Sequence, residues 1–213
     1  MGLDVEMLTV GTLAEYCFLL RRPGSDRVLV VDPGEEAERI LAAAGEIGEV
    51  EAILLTHCHF DHIGAVTPVA AATGAPVYCP AIEVPILADI MAFVPWAEFG
   101  PYESYEADET VAGGETLALA GLELDVVFTP GHSPGHVTYS VRGEQAIFSG
   151  DVLFQGSVGR VDQPGGDGPT LIESIGTLLD THPDETVVHP GHMGITTLGA
   201  ERASNPFLAS LAR

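Results

Sequence analysis

The stretch Ala52-Ile53-Leu54-Leu55-Thr56-His57-Cys58-His59-Phe60-Asp61-His62-Ile63-Gly64-Ala65 decides how the rest of the chain is read. Four metal-competent side chains, His57, His59, Asp61 and His62, fall within six residues of one another. The apolar run Ile53-Leu54-Leu55 before them fits a buried strand, and Ile63-Gly64-Ala65-Val66 after them can open a helix. The cluster therefore belongs where a strand ends. In an extended segment side chains at i and i+2 point the same way, so His57 and His59 can grip one ion while the bend at Asp61-His62 turns the next pair toward a second. Imidazole and carboxylate together suit zinc, iron or manganese better than calcium.

A cluster this dense needs remote partners, and three more metal-competent side chains stand in similar settings. His132 follows Thr129-Pro130-Gly131, Asp151 follows Ser149-Gly150, and His192 follows Pro190-Gly191. Each small-residue turn closes an apolar run: Val126-Val127-Phe128, Ala146-Ile147-Phe148 and Val187-Val188. Ligands on loops at strand ends describe a site at one rim of a sheet.

The order His57-x-His59-x-Asp61-His62, then His132, Asp151 and His192, resembles the metallo-β-lactamase superfamily over nearly the whole chain. Within it, Thr129 to His136, Gly150 to Phe154, Gly156 to Arg160 and Glu201 to Phe207 are most similar to the short bacterial type of glyoxalase II, a hydroxyacylglutathione hydrolase. The resemblance implies an α/β four-layer αββα sandwich and two divalent metal ions, zinc foremost, with iron or manganese as alternatives. It places His57, His59 and His132 on one ion, Asp61, His62 and His192 on the other, and Asp151 between them. The implied reaction is hydrolysis of a thioester such as S-lactoylglutathione by attack of a metal-bound hydroxide, which Asp61 would also orient. A thiol with pKa of about 8.5 leaves as thiolate and needs little proton donation. Arg160 stands where long-form glyoxalase II has a basic residue that contacts glutathione, so it is the candidate substrate-binding residue; an ion pair with Asp162 or Asp167 is the alternative.

Two other chemistries fit the same resemblance. Persulfide dioxygenases share Thr-His-Cys-His, here Thr56 to His59, and a Gly-Arg-x-Asp stretch, here Gly159 to Asp162. They hold a single iron, for which His57, His132 and Asp151 would be the ligands. The Pro190-Gly191-His192 turn and Ser133 to His136 are closer to the short hydrolases. A lactonase or other ester hydrolase is the further alternative. His136, His182 and His189 match no ligand position and are read as structural or solvated. At His192-Met193-Gly194 the short type commonly has His-Gly-Pro, so Met193 is expected to reshape the pocket rim.

The 213 residues are expected to form one metallo-β-lactamase-type domain, residues 1–213, without the C-terminal helical glutathione-binding domain of the long form. The formal net charge is −23, from 8 basic residues, all of them arginine, against 31 acidic ones. Such a surface repels polyanions, which speaks against nucleic acid and anionic membranes; the partner that the resemblance implies is a small-molecule thioester, glutathione-linked ones among the candidates. The sequence shows neither a membrane-length apolar run nor a cleavable leader pattern, so a cytoplasmic location is expected. Cys17, Cys58 and Cys79 are odd in number and widely spaced, which suggests no disulfide framework.

Short strands are expected at Met7 to Val10, Tyr16 to Leu20 and Val28 to Val31, then a helix with Ala37, Ile40, Leu41 and Ala44 on one face, capped by Asp32 and closed by Gly45. For Asp32, a role behind the metals is the alternative. A helix from Val66 ends at Gly74. Strands follow at Ala75 to Cys79, Thr116 to Leu119, Leu122 to Phe128 and Val137 to Val141. Thr170 and Glu173 form a capping box for a helix that turns Leu171, Ile175 and Leu178 inward. Pro80 to Ala107, rich in proline and aromatic residues, reads as an insertion over the site, its aromatics either lining a pocket or packed away.

Overall fold

The computed structural model describes residues 2–209. Three antiparallel strands open the chain, β1 (Asp4–Val10), β2 (Glu15–Arg21) and β3 (Arg27–Val31). Helix α1 (Ala37–Ile47) crosses back to β4 (Glu49–Leu54), which runs parallel to β3. Helices α2 (Phe60–Ile63) and α3 (Val66–Thr73) lead to β5 (Val77–Pro80), and α4 (Val84–Leu87) and α5 (Ile90–Phe93) precede β6 (Glu109–Val111). These strands make one sheet in sequential order, β1 to β6.

The second sheet begins with β7 (Thr116–Leu119), β8 (Leu122–Phe128), β9 (Val137–Val141) and β10 (Ala146–Gly150). A small hairpin, β11 (Leu153–Phe154) with β12 (Ser157–Val158), and helix α6 (Gly168–Thr181) follow. The chain returns through β13 (Val187–Pro190) and β14 (Thr196–Thr197) to α7 (Leu198–Ser204) and a 3-10 turn at Pro206–Leu208. Strand order in this sheet is β14-β13-β10-β9-β8-β7, with β13 parallel to β10.

Alternation along the strands assembles the layers. Phe18, Leu20, Leu29, Val31 and Leu54 face the second sheet, where they meet Leu122, Leu124, Val126, Tyr139 and Phe148. Their neighbours Leu19, Val28, Val30 and Ile53 point the other way, onto Ile40 and Ala44 of α1 and Val66, Val69 and Ala70 of α3. Ile147 and Val188 likewise leave the sheet-sheet core to pack on Leu171, Ile175 and Leu178 of α6. Two sheets facing each other with helices outside is the αββα sandwich. Each fully buried Leu or Phe in these layers contributes roughly 1.5–3 kcal/mol of transfer free energy. At the rim away from the His57 cluster, Arg22 ties the sheets by pairing with Glu144 and donating to the Gly121 carbonyl. No helix among the described residues is long and apolar enough to cross a membrane.

Three local expectations need correction. Helix α1 begins five residues after Asp32, with Glu36 at its N-cap, so Asp32 caps nothing there. Gly45 lies inside α1, which closes instead at Gly48, whose N–H bonds to the Ala44 carbonyl. The cap of α6 is Asp167, which accepts from the Thr170 N–H; Pro169 then fits the first turn, where its missing donor is harmless. The segment 80–107 holds the two short helices α4 and α5 and then wraps over the site: Phe60 of α2 packs against Trp96, Phe99 and Tyr102.

Candidate metal centre

Every residue expected at the site follows the carboxyl end of a strand or sits in the turn just beyond. β4 delivers His57 and His59, and α2 turns Asp61 and His62 back over them. His132 follows β8, Asp151 follows β10 and His192 follows β13. The sharp exit from β10 depends on Gly150, at φ 45°, where a Cβ would also collide with Thr56 and His136.

Two convergent groups result. His57 Nε2 lies 3.2 Å from His59 Nδ1, which in turn lies 2.8 Å from His132 Nε2. His192 Nε2 lies 3.2 Å from Asp61 Oδ2, and His62 Nε2 lies 4.0 Å from the same oxygen. Asp151 stands between the groups, with Oδ1 3.4 Å from His62 Nε2 and Oδ2 3.5 Å from His132 Nε2. Within each triad, His57-His59-His132 and Asp61-His62-His192, the ligand atoms all lie within 4.8 Å of one another.

The outward ring nitrogens show what the inward ones are for. Thr56 Oγ1 gives its proton to Asp32, 2.6 Å away, so the His57 Nδ1–H at 3.1 Å is the donor to that hydroxyl. His132 Nδ1–H donates to the Arg160 carbonyl at 2.8 Å, and His62 Nδ1–H donates to Asp32 at 3.1 Å. His57 and His132 thus turn bare Nε2 lone pairs toward each other and His59. His62 Nε2 and Asp151 Oδ1 are buried with no hydrogen-bond partner. Unpaired buried polar atoms cost about 1–3 kcal/mol each, and a shared cation relieves them. The donor set, imidazoles and carboxylates, fits a divalent transition metal.

At His57, His59 and Asp151 the electrostatics agree. Burial, aided by neighbouring imidazoles, pushes His57 well below its ordinary pKa and takes His59 down to about 3. Burial opposes ionisation of Asp151, yet the charge of His62, foremost among its neighbours, outweighs it and holds the carboxyl far below the usual range. Neutral imidazoles beside an ionised carboxylate are the protonation states that a cation requires. His62 goes the other way: burial disfavours its charge, but Asp151, Asp32 and Asp61 pull a proton onto it.

Two supporting residues, Glu83 and Glu15, escaped the sequence reading, and a third, Asp32, takes its alternative role behind the metals. Asp32, at φ 50° and buried, accepts from the Thr56 N–H at 2.7 Å as well as from Thr56 Oγ1 and His62, so its place is behind the site. Glu83, fully buried, accepts from Ser133 Oγ at 2.8 Å, Gly135 N–H at 2.7 Å and Cys58 N–H at 3.4 Å, tying the β4 loop to the β8 loop. Glu15 is buried 3.7 Å from His62 Nδ1 with both oxygens unpartnered, and burial raises its pKa well above the carboxylate range. A lone acid amid apolar residues was the available signal for Glu83, in Ala81-Ile82-Glu83-Val84-Pro85, and for Glu15, which heads the apolar β2.

The other histidines serve the scaffold. His136 accepts from the Asp151 N–H at 3.2 Å and stacks on His57. His189 stacks on Phe148, and burial brings it down to about 4. His182 lies 3.0 Å from Ser140 Oγ. Over the triads opens a cleft of about 320 Å³ whose walls include Leu13, Trp96, Phe154, Arg160, Gln163 and Met193. Met193, at φ 70°, sits in backbone that glycine adopts more easily, and its side chain is exposed at the rim. Arg160 lines this cleft but is gripped by Asp162, through Nε at 2.6 Å and a terminal nitrogen at 2.8 Å.

Residues 10–192 match the metallo-beta-lactamase superfamily. This chain belongs to that superfamily. Among metallo-β-lactamase relatives, it is 33% identical to the hydroxyacylglutathione hydrolase GloC of Haemophilus influenzae, over 98% of this chain and 99% of that protein. The crystal structure of BLEG-1, a B3 metallo-beta-lactamase, superposes with a TM-score of 0.91 at 36% identity, covering 97% of this chain and all of the other. TTHA1623 in a di-iron-bound form superposes with a TM-score of 0.84 at 40% identity, covering 95% of this chain and all of that one. Superfamily membership and the assembled His/Asp groups make the protein a metallo-hydrolase-type fold with a divalent metal site.

Proposed function

We propose that this protein is a dinuclear metal-dependent hydrolase of thioesters. The observation that carries the reading is the pair of triads with Asp151 between them. His57, His59 and His132 would hold one cation, Asp61, His62 and His192 the other, and Asp151 would touch both. Held there, divalent cations supply Lewis acidity for a carbonyl and bring the pKa of coordinated water down to about 7.

The chain's own groups do the rest. Asp61 faces the cleft and can accept a hydrogen bond that orients the attacking water. Asp32 and the Arg160 carbonyl fix the rings of His62 and His132, so the ligands are positioned before substrate arrives. Phe60 and Trp96 meet edge to face and wall one side of the cleft. A thiolate leaving group asks for no proton donor, which suits a cleft whose acids serve as ligands. The likeness to GloC supports a thioester; the di-iron TTHA1623 leaves zinc and iron both as candidate metals.

The test begins with metal identity and stoichiometry per chain on protein purified without added metal. Thiol release from S-lactoylglutathione and other thioesters is then measured beside a β-lactam and a lactone. Two cations per chain with thiol release is the expected result. One iron per chain with oxygen uptake on a persulfide overturns the reading in favour of the dioxygenase, and turnover confined to the β-lactam or the lactone overturns the substrate class.

A further inference from the structure

Resting on the thioester reading, we propose that the thiol carrier recognised by this cleft is uncharged, a hydroxyl- or amide-bearing thiol and not an anionic one. The argument begins with the cations. All basic residues are arginine, and each of the seven among the described residues is paired with a carboxylate: Arg21 with Asp4, Arg22 with Glu144, Arg27 with Glu49, Arg39 with Glu36, Arg142 with Asp125, Arg160 with Asp162 and Arg202 with Asp184. Arg160 alone of these lines the cleft, and its fork is already matched two-to-two by Asp162.

Beyond the metal centre itself, an anionic carrier therefore meets no free arginine among the described residues that line the cleft. To reach Arg160, a carrier carboxylate must displace Asp162. It then exchanges one exposed ion pair for another of similar strength while the displaced carboxylate stays beside it. The rest of the molecule adds repulsion, since the formal charge is −23. Neutral contacts are available instead. Ser157 and Gln163 offer a hydroxyl and an amide, and Leu13, Trp96 and Met193 are exposed apolar surface around the mouth. Such a wall suits a substrate whose polar groups carry no charge.

The experiment compares two thioethers that differ only in charge, N-acetyl-S-hexylglutathione and its uncharged bis-amide. Their affinities for the metal-loaded protein are measured by calorimetry at low and moderate salt. Neither probe is hydrolysed, so the comparison stands even if every thioester assay is blank, in which case only the proposed activity falls. The bis-amide is expected to bind about fivefold more tightly, the range that an exposed ion pair covers, with the gap widening as salt is lowered. Equal or tighter binding of the dianion overturns the inference. In a second arm Asp162→Asn frees Arg160, and affinity for the dianion is expected to rise severalfold relative to the bis-amide. No change in that ratio would show that Asp162 is not what withholds Arg160, and would overturn the inference as well.

Discussion

Asp151 is one carboxylate asked to serve two triads, its two oxygens facing His62 and His132. Asp151→Ala is expected to lose bound metal and activity together; turnover at normal metal content would remove it from its place between the ions. Glu83 works at a distance from the chemistry. Its replacement by alanine strands the buried Ser133, Gly135 and Cys58 donors, so Glu83→Ala is expected to cost at least ~2 kcal/mol in urea unfolding, whereas Glu83→Gln should recover part of the loss. At this scale the sequence disclosed the side chains that stand close together or behind a Gly turn, because metal chemistry restricts residue type and spacing. Glu83 and Glu15 stayed hidden since their partners are 25 to 52 positions away in the chain and nothing local marks the contact.

Elements were legible where burial imposes a period. The strands Thr116–Leu119, Leu122–Phe128 and Val137–Val141 and the helix Val66–Thr73 have the bounds that alternation and helical spacing require. Ends decided by single hydrogen bonds were less so. Thr170 and Glu173 have capping-box spacing, but Asp167 takes the Thr170 N–H at 2.9 Å and starts α6 earlier. Asp167→Ala is accordingly expected to lower stability by about 1 kcal/mol, seen as a drop in Tm, while Glu173→Ala should leave Tm nearly unchanged. In the 84–105 stretch, helices of four residues are too short to show a period, and the aromatic contacts to Phe60 that order the segment are tertiary.

For the whole molecule, the seven ligand-type residues come from both sheets, four after β4 and three after β8, β10 and β13. Removing metal with a strong chelator is therefore expected to lower Tm by several degrees, reversibly on re-addition; an unchanged Tm would mean that no ion is held at these residues. A chain with a formal charge of −23 also repels itself, so moderate NaCl should raise Tm in calorimetry, and a fall would mean that the exposed ion pairs outweigh the repulsion. The Arg22 bridge to Glu144 and Gly121 at the far rim adds a last consequence. An arginine keeps its proton throughout the range in which histidines gain theirs, so acidification unlatches the ligand rim while the opposite end stays riveted. Acid strong enough to protonate the buried ligand imidazoles and release the cations should therefore accelerate amide exchange at the carboxyl ends of β4 and β10 before it does at Arg22.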